Sequence, residues 1–127
     1  MKTAIESKKV PAPIGPYSQA IVANGMVYTS GQIAIDPATG EYIPSNIEVE
    51  AELVMKNLEA LLEASGADFS GVVKTSIFLQ SMTDFAQVNA VYAKYMVAPF
   101  PARETVEVAQ LPKSAKVEIS MIAIVKS

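Results

Sequence analysis

Apolar residues recur along this chain with two different periods, and each change of period marks a change of predicted element. Residues 19–24 (QAIVAN) and 26–30 (MVYTS) are short apolar runs on either side of Asn24-Gly25. Both of these residues tolerate positive φ, so the pair predicts a two-residue hairpin turn. A further short strand is expected at 32–35 (QIAI), ending in the turn-rich Asp36-Pro37-Ala38-Thr39-Gly40. The period then lengthens. Ile47, Ala51, Val54, Met55, Leu58, Leu61 and Leu62 form one stripe of a helix predicted over about 46–64. Ser45 and Glu48 fit the S-x-x-E capping pattern at its start, and Gly66 is a natural stop at its end. Residues 72–79 (VVKTSIFL) predict a strand. Ser81 or Thr83 can cap a second helix over about 84–96, with Phe85, Val88, Tyr92, Tyr95 and Met96 on its apolar face. Pro99-Phe100-Pro101 prevents its continuation. Two strands follow, near 103–109 and 116–125. The first 16 residues, rich in Lys and Pro, predict an extended arm.

This order of three strands, helix, strand, helix and two strands predicts an α+β two-layer sandwich. A mixed six-stranded sheet would carry both helices on one face. The last strand is apolar on both sides: Val117, Ile119, Met121, Ala123 and Val125 alternate with Glu118, Ser120, Ile122 and Ile124. That pattern is expected where the second face of the sheet packs on another subunit.

The 127 residues suit one domain spanning 1–127, and half of them are hydrophobic. A net charge of -3, with Lys8-Lys9 as the one adjacent basic pair, argues against a partner held through phosphates, so no nucleic acid is expected. No apolar run reaches membrane-spanning length, and the charged N-terminus lacks the apolar core of a secretory signal. With no cysteine there is neither a disulfide framework nor a thiolate metal site, as suits a cytoplasmic protein. Histidine is also absent. An enzyme of this composition must use carboxylate, hydroxyl, Lys, Arg or backbone groups, and suits a substrate already close to reacting.

Several residues could carry such chemistry. Arg103 follows the rigid Pro99-Phe100-Pro101-Ala102, and its planar fork suits a small carboxylate. It could equally pair with Glu104, Glu107 or Glu118. Glu118 interrupts an apolar strand, where it either positions a water, pairs with Arg103 or faces solvent. The Thr29-Ser30-Gly31-Gln32 corner can offer a hydroxyl and backbone N–H groups, or be an ordinary turn. Tyr17 can close a pocket or simply pack, Asn89 is by default an exposed amide, and Lys74 by default a solvent-facing lysine. No phosphate loop, dinucleotide fingerprint, metal-ligand cluster or catalytic triad is present, and no cofactor or metal is expected.

Five segments together resemble the reactive intermediate deaminase family (RidA, or YjgF-like). They are Ile14-Gly15-Pro16-Tyr17-Ser18-Gln19-Ala20, Thr29-Ser30-Gly31-Gln32-Ile33, Asp84-Phe85 with Val88-Asn89, Phe100-Pro101-Ala102-Arg103, and a C-terminal group. That last group comprises Val106-Glu107-Val108-Ala109, Leu111-Pro112-Lys113 and Val117-Glu118-Ile119. The resemblance implies a chorismate-mutase-like fold, a homotrimer with active sites between subunits, and hydrolysis of 2-aminoacrylate and 2-aminocrotonate, or their imines, to 2-keto acids and ammonia. It implies that Arg103 binds the substrate carboxylate. It also implies that Glu118 and the Thr105 carbonyl orient the attacking water, and that Tyr17, Ser30, Gly31 and Asn89 line the pocket. Thr105 stands where some members carry cysteine. Glu104 stands where a small residue is common, and so either competes for Arg103 or narrows the substrate range. An endoribonuclease or translation inhibitor is the competing reading, and a non-catalytic 2-keto acid sensor or chaperone is a third.

Overall fold

The computed structural model describes residues 1–127. Six strands form one mixed sheet: β1 (Thr3–Ile5), β2 (Ala20–Ala23), β3 (Met26–Thr29), β4 (Val72–Leu79), β5 (Ala102–Glu107) and β6 (Val117–Ile124). Their order in the sheet is β1-β2-β3-β6-β4-β5. All neighbours are antiparallel except β4 and β5. That parallel pair needs a crossover, supplied by helix α2 (Phe85–Tyr95). The long helix α1 (Ile47–Ala64) lies beside it.

The Asn24-Gly25 hairpin forms as the sequence predicts, with φ of 52° and 74°. Both central residues are left-handed, which matches the twist of the flanking strands. Helix α1 also ends as expected. Gly66 at φ 80° lets its own N–H reach the Glu63 carbonyl, while Ala67 N–H reaches the Leu62 carbonyl. These two bonds satisfy carbonyls that the last turn would otherwise leave open.

Four expectations need correction. The first concerns the start of α1, where Asn46 is the cap and its Oδ1 accepts from Val49 N at 2.9 Å. Ser45 is drawn elsewhere: its carbonyl accepts from Lys116 Nζ, and its N–H faces Glu50 Oε2 at 3.4 Å. Glu50 is completely buried, and also accepts from Lys116 N at 3.2 Å. The second concerns residues 32–35, which make only isolated bridges, from Gln32 to Ile119 and from Ile35 to Tyr42. Ile35 N–H is spent on the Ile33 carbonyl at 2.8 Å, a three-residue turn that breaks any strand there. The sixth strand is instead β1, three residues of the arm paired with β2. Third, a 3-10 turn over Met82–Asp84, capped by Ser81, precedes α2 and shortens it. Fourth, the buried face of α2 is Val88, Val91 and Tyr92, while Phe85 is exposed.

The core lies between helices and sheet. Val54, Met55, Leu58, Leu61 and Leu62 of α1 are fully buried with Val27, Ile77, Leu79, Val117, Ile119, Met121 and Ala123 of the sheet. Truncating one such residue, Leu58→Ala for example, costs roughly 2–5 kcal/mol through lost burial and the cavity left behind. The other sheet face is covered only near Phe78, by a small cluster of Ile33, Leu111 and Ala115. Tyr28, Val106 and Ile124 are 45%, 41% and 50% exposed on it, beside the half-buried Phe78 and Ile122.

Candidate active site

Sheet register divides the site residues between two faces. Along β6, Val117, Ile119 and Met121 point into the helix-side core, so Glu118 between them points the other way. Along β5, Arg103 stands opposite Thr75 of β4, which is buried on the helix side. Arg103 and Glu118 of one chain therefore lie on opposite faces of the sheet. The salt bridge between them, left open by the sequence, is not made.

Glu118 borders a cleft of about 470 Å³ whose wall includes Tyr17, Gln19, Ser30, Gly31 and Lys113. The reciprocal backbone bonds of Gln32 and Ile119, at 2.8 and 3.1 Å, press the Ser30-Gly31 corner against Glu118. A Cβ on Gly31 would lie 2.7 Å from Glu118 Cδ, so any larger residue there must displace this carboxylate. Burial raises the carboxyl above the usual glutamate range, with no cation or donor to offset it. Ser30 Oγ donates to the Ser18 carbonyl at 2.6 Å. Its hydroxyl proton is thus committed, and toward a ligand it can only accept. Tyr17 is half exposed, and its hydroxyl accepts weakly from Ile14 N at 3.4 Å.

The arm that closes this cleft is held by Gln19, a residue to which the sequence pattern assigns no role beyond the edge of an apolar run and a family-like segment. Its buried amide donates to the carbonyls of Ser7, Val10 and Pro11 at 2.9–3.1 Å, and accepts from Ser7 N at 2.7 Å. Lys113, likewise without an assigned role, reaches the cleft from a left-handed backbone at φ 56°. It makes no ion pair.

Arg103 borders a smaller cleft, of about 250 Å³, with Asn89, Tyr92, Met96, Phe100 and Pro101. Its Nη1 donates to Asn89 Oδ1 at 2.8 Å, so Asn89 is engaged with the guanidinium and is no idle surface amide. The guanidinium carbon lies over the rings of Tyr92 and Phe85, at 5.1 and 5.8 Å from their centroids. Phe85, Asn89 and Tyr92 are four and three residues apart on α2, hence on one stripe. That spacing is legible in the sequence, but its target comes from the distant β5 and is not.

No carboxylate reaches Arg103. Glu107 accepts from Met82 N at 2.7 Å. Glu104 faces the uncovered side, bonded to Lys74 Nζ at 2.5 Å and to Ser76 Oγ. These contacts hold its carboxyl below the usual range. Glu104 does not compete for Arg103 within the chain, and Lys74 is paired. Thr105 points to the Arg103 side on the edge strand, and its buried Oγ1 has no hydrogen-bond partner.

A family model described as endoribonuclease L-PSP matches residues 7–125. Reactive Intermediate Deaminase A, chloroplastic, of Arabidopsis thaliana is 50% identical over 122 residues, which are 96% of this chain and 65% of that one. The 2-iminobutanoate/2-iminopropanoate deaminase of Mus musculus is 43% identical, with 98% of this chain and 92% of that one covered. Among solved structures, YyfA of Yersinia pestis, of the conserved Rid protein family, superposes with a TM-score of 0.94 at 48% identity. There, 98% of this chain and 100% of that one are covered. No helix of the present structure is long and apolar enough to cross a membrane.

Proposed function

Because the chain belongs to the endoribonuclease L-PSP family, the RidA or YjgF-like family, we propose that it is a deaminase. It hydrolyses small 2-imino acids and their enamine tautomers, such as 2-aminoacrylate and 2-aminocrotonate, to 2-keto acids and ammonia. The observation that carries this reading is the uncommitted guanidinium of Arg103. It is fixed by two rings and one amide oxygen, faces a cleft, and has no acidic partner. Such a fork is built for a small carboxylate.

In the proposed reaction Arg103 takes the substrate carboxylate, and water attacks the C=N carbon. Glu118 accepts a proton from that water and returns it to the imine nitrogen to give the carbinolamine, which collapses to the 2-keto acid as its hydroxyl proton passes to the departing ammonia. A carboxylate whose proton affinity is raised by burial is a better base than an exposed one. The Thr105 carbonyl would orient the same water, and Tyr17, Ser30 and Gly31 would line the pocket. An imine is already prone to hydrolysis, so positioning suffices and histidine is not needed.

This chemistry requires Arg103 and Glu118 in one pocket, whereas one chain holds them on opposite faces. The site is therefore completed between two chains, with a homotrimer as the assembly. The uncovered apolar face bearing Tyr28, Val106 and Ile124 supports such an assembly. The family's description also names an endoribonuclease. The chain has no histidine, and neither cleft gathers the cations that a polyphosphate ligand requires.

The test is a coupled assay. Added to a pyridoxal-phosphate-dependent serine or threonine dehydratase, the protein should speed 2-keto acid release. Arg103→Ala should abolish the effect, while Arg103→Lys should restore little of it, since an ammonium lacks the planar fork. Full activity in Arg103→Ala would remove the assignment. An RNase assay with the same variant as control distinguishes the second activity.

A further inference from the structure

We propose that Phe85 and Tyr92 are positioning residues, which hold the Arg103 guanidinium by its faces so that its edge stays free for a ligand carboxylate. The proposal rests on the reading of Arg103 given above.

A structural arginine is commonly held by a carboxylate, and that pairing consumes the fork of N–H donors; Arg103 is solvent-exposed in the single chain. Arg103 is held differently. Two aromatic rings lie under its cationic carbon at 5.1 and 5.8 Å, and one N–H goes to Asn89 Oδ1. Ring faces attract the cation without using any N–H, so one of five donors is spent and the rest remain available. The two rings are themselves set differently. Tyr92 is 6% exposed, and its hydroxyl donates to Thr75 Oγ1 at 3.0 Å. Thr75 is completely buried and stands directly across β4 and β5 from Arg103. The tie runs from β4 through the Tyr92 ring to β5, and locks the distance between α2 and the arginine. Phe85, by contrast, is 38% exposed at the first residue of α2, where a large apolar ring gains little from burial. Its contact with the guanidinium gives it a reason to be there.

The experiment measures calorimetric affinity for 2-oxobutanoate together with kcat and KM. Phe85→Leu keeps apolar bulk and removes the π face, so it should raise Kd and KM roughly two- to fivefold and leave kcat unchanged. The pair Phe85→Leu with Tyr92→Leu should weaken binding by about tenfold. Phe85→Tyr keeps its ring and leaves the Tyr92–Thr75 bond intact, so it should bind within about twofold of the parent. That rescue separates the π face from general packing. Should the double variant fail to fold, Phe85→Leu alone decides, because its site is half open. Loss of binding in Arg103→Ala with parental binding in the leucine variants would overturn the positioning role and leave the Arg103 reading standing. Parental binding in Arg103→Ala would overturn both.

Discussion

Gly31 leaves no room for a side chain beside Glu118, because a carbon there would sit 2.7 Å from Glu118 Cδ and 2.8 Å from its Oε2. The clash is with the tip of a flexible side chain and not with backbone, so Gly31→Ala should fold. Stability should change little, or rise by about 0.4–1 kcal/mol as the unfolded chain loses freedom. The carboxylate must swing away, however, and a displacement near 1 Å at a reacting group costs on the order of a hundredfold in kcat. Steady-state kinetics alongside thermal unfolding would show the two quantities separating. A Gly31→Ala protein with parental kcat would show that Glu118 is not held in a reactive position by this corner.

Glu118 itself should trade stability for activity. Burial raises its carboxyl above the ordinary glutamate range. A raised carboxyl binds its proton more tightly in the folded state, so its contribution is fully present below the unfolded value of about 4.3. It is lost as pH rises through the folded value. At neutral pH the ionised group is therefore a cost. Glu118→Gln should be more stable than the parent at pH 7, with the difference shrinking on acidification and gone by about pH 4. Urea unfolding at several pH values measures this. Turnover should fall by about a hundredfold or more, while affinity for 2-oxobutanoate changes far less. Lower stability at pH 7 would mean the carboxylate makes favourable contacts that offset its burial.

Glu104 should prove irrelevant to the arginine beside it. It points to the uncovered face and is committed to Lys74 and Ser76. Glu104→Ala is therefore expected to leave KM within about twofold, as for sites without a shared partner. A tenfold change in KM would show that the acidic side chain reaches the arginine's pocket after all.

The sequence made regular elements legible where local chemistry decides them. The Asn24-Gly25 turn, β4 and the Gly66 stop all follow from residues within a few positions of each other. It failed where a distant partner decides. The cap of α1 moved from Ser45 to Asn46 because Lys116, far along the chain, engages Ser45 and the buried Glu50. The three residues of β1 carry too little alternation to be read, and exist as a strand because β2 offers an edge. The candidate site shows the same division. Arg103 and Glu118 could be nominated by residue type, and the alternation of the last strand already sets Glu118 opposite Val117 and Ile119, but the face of Arg103 follows only from its register with β4. Tyr92 is buried as its place on the apolar stripe of α2 predicts, whereas Phe85 is exposed, and the contact of both rings with Arg103 is not legible because the arginine arrives from another strand. Gln19 reads as one polar residue at the edge of an apolar run, and only the fold shows it fastening the arm.

The placement of Arg103 and Glu118 on opposite faces yields a decisive test of shared sites. Sedimentation equilibrium should give three times the 13.5 kDa chain mass. Arg103→Ala and Glu118→Gln, each nearly inactive alone, should then be unfolded and refolded together in equal amounts. In a cyclic trimer with the proposed shared sites, every site would take Arg103 from one chain and Glu118 from the next. A site is intact when the arginine comes from a Glu118→Gln chain and the glutamate from an Arg103→Ala chain. Each choice has even odds under random assembly, so about a quarter of the sites should be fully formed. Roughly a quarter of parental activity should appear on mixing, with none on mixing trimers that were never dissociated. If each chain housed its own complete site, every site in the mixture would still carry one defect, and no activity would return. Failure to recover activity despite verified mixed trimers would therefore reject the intersubunit site, even if the trimer itself is confirmed.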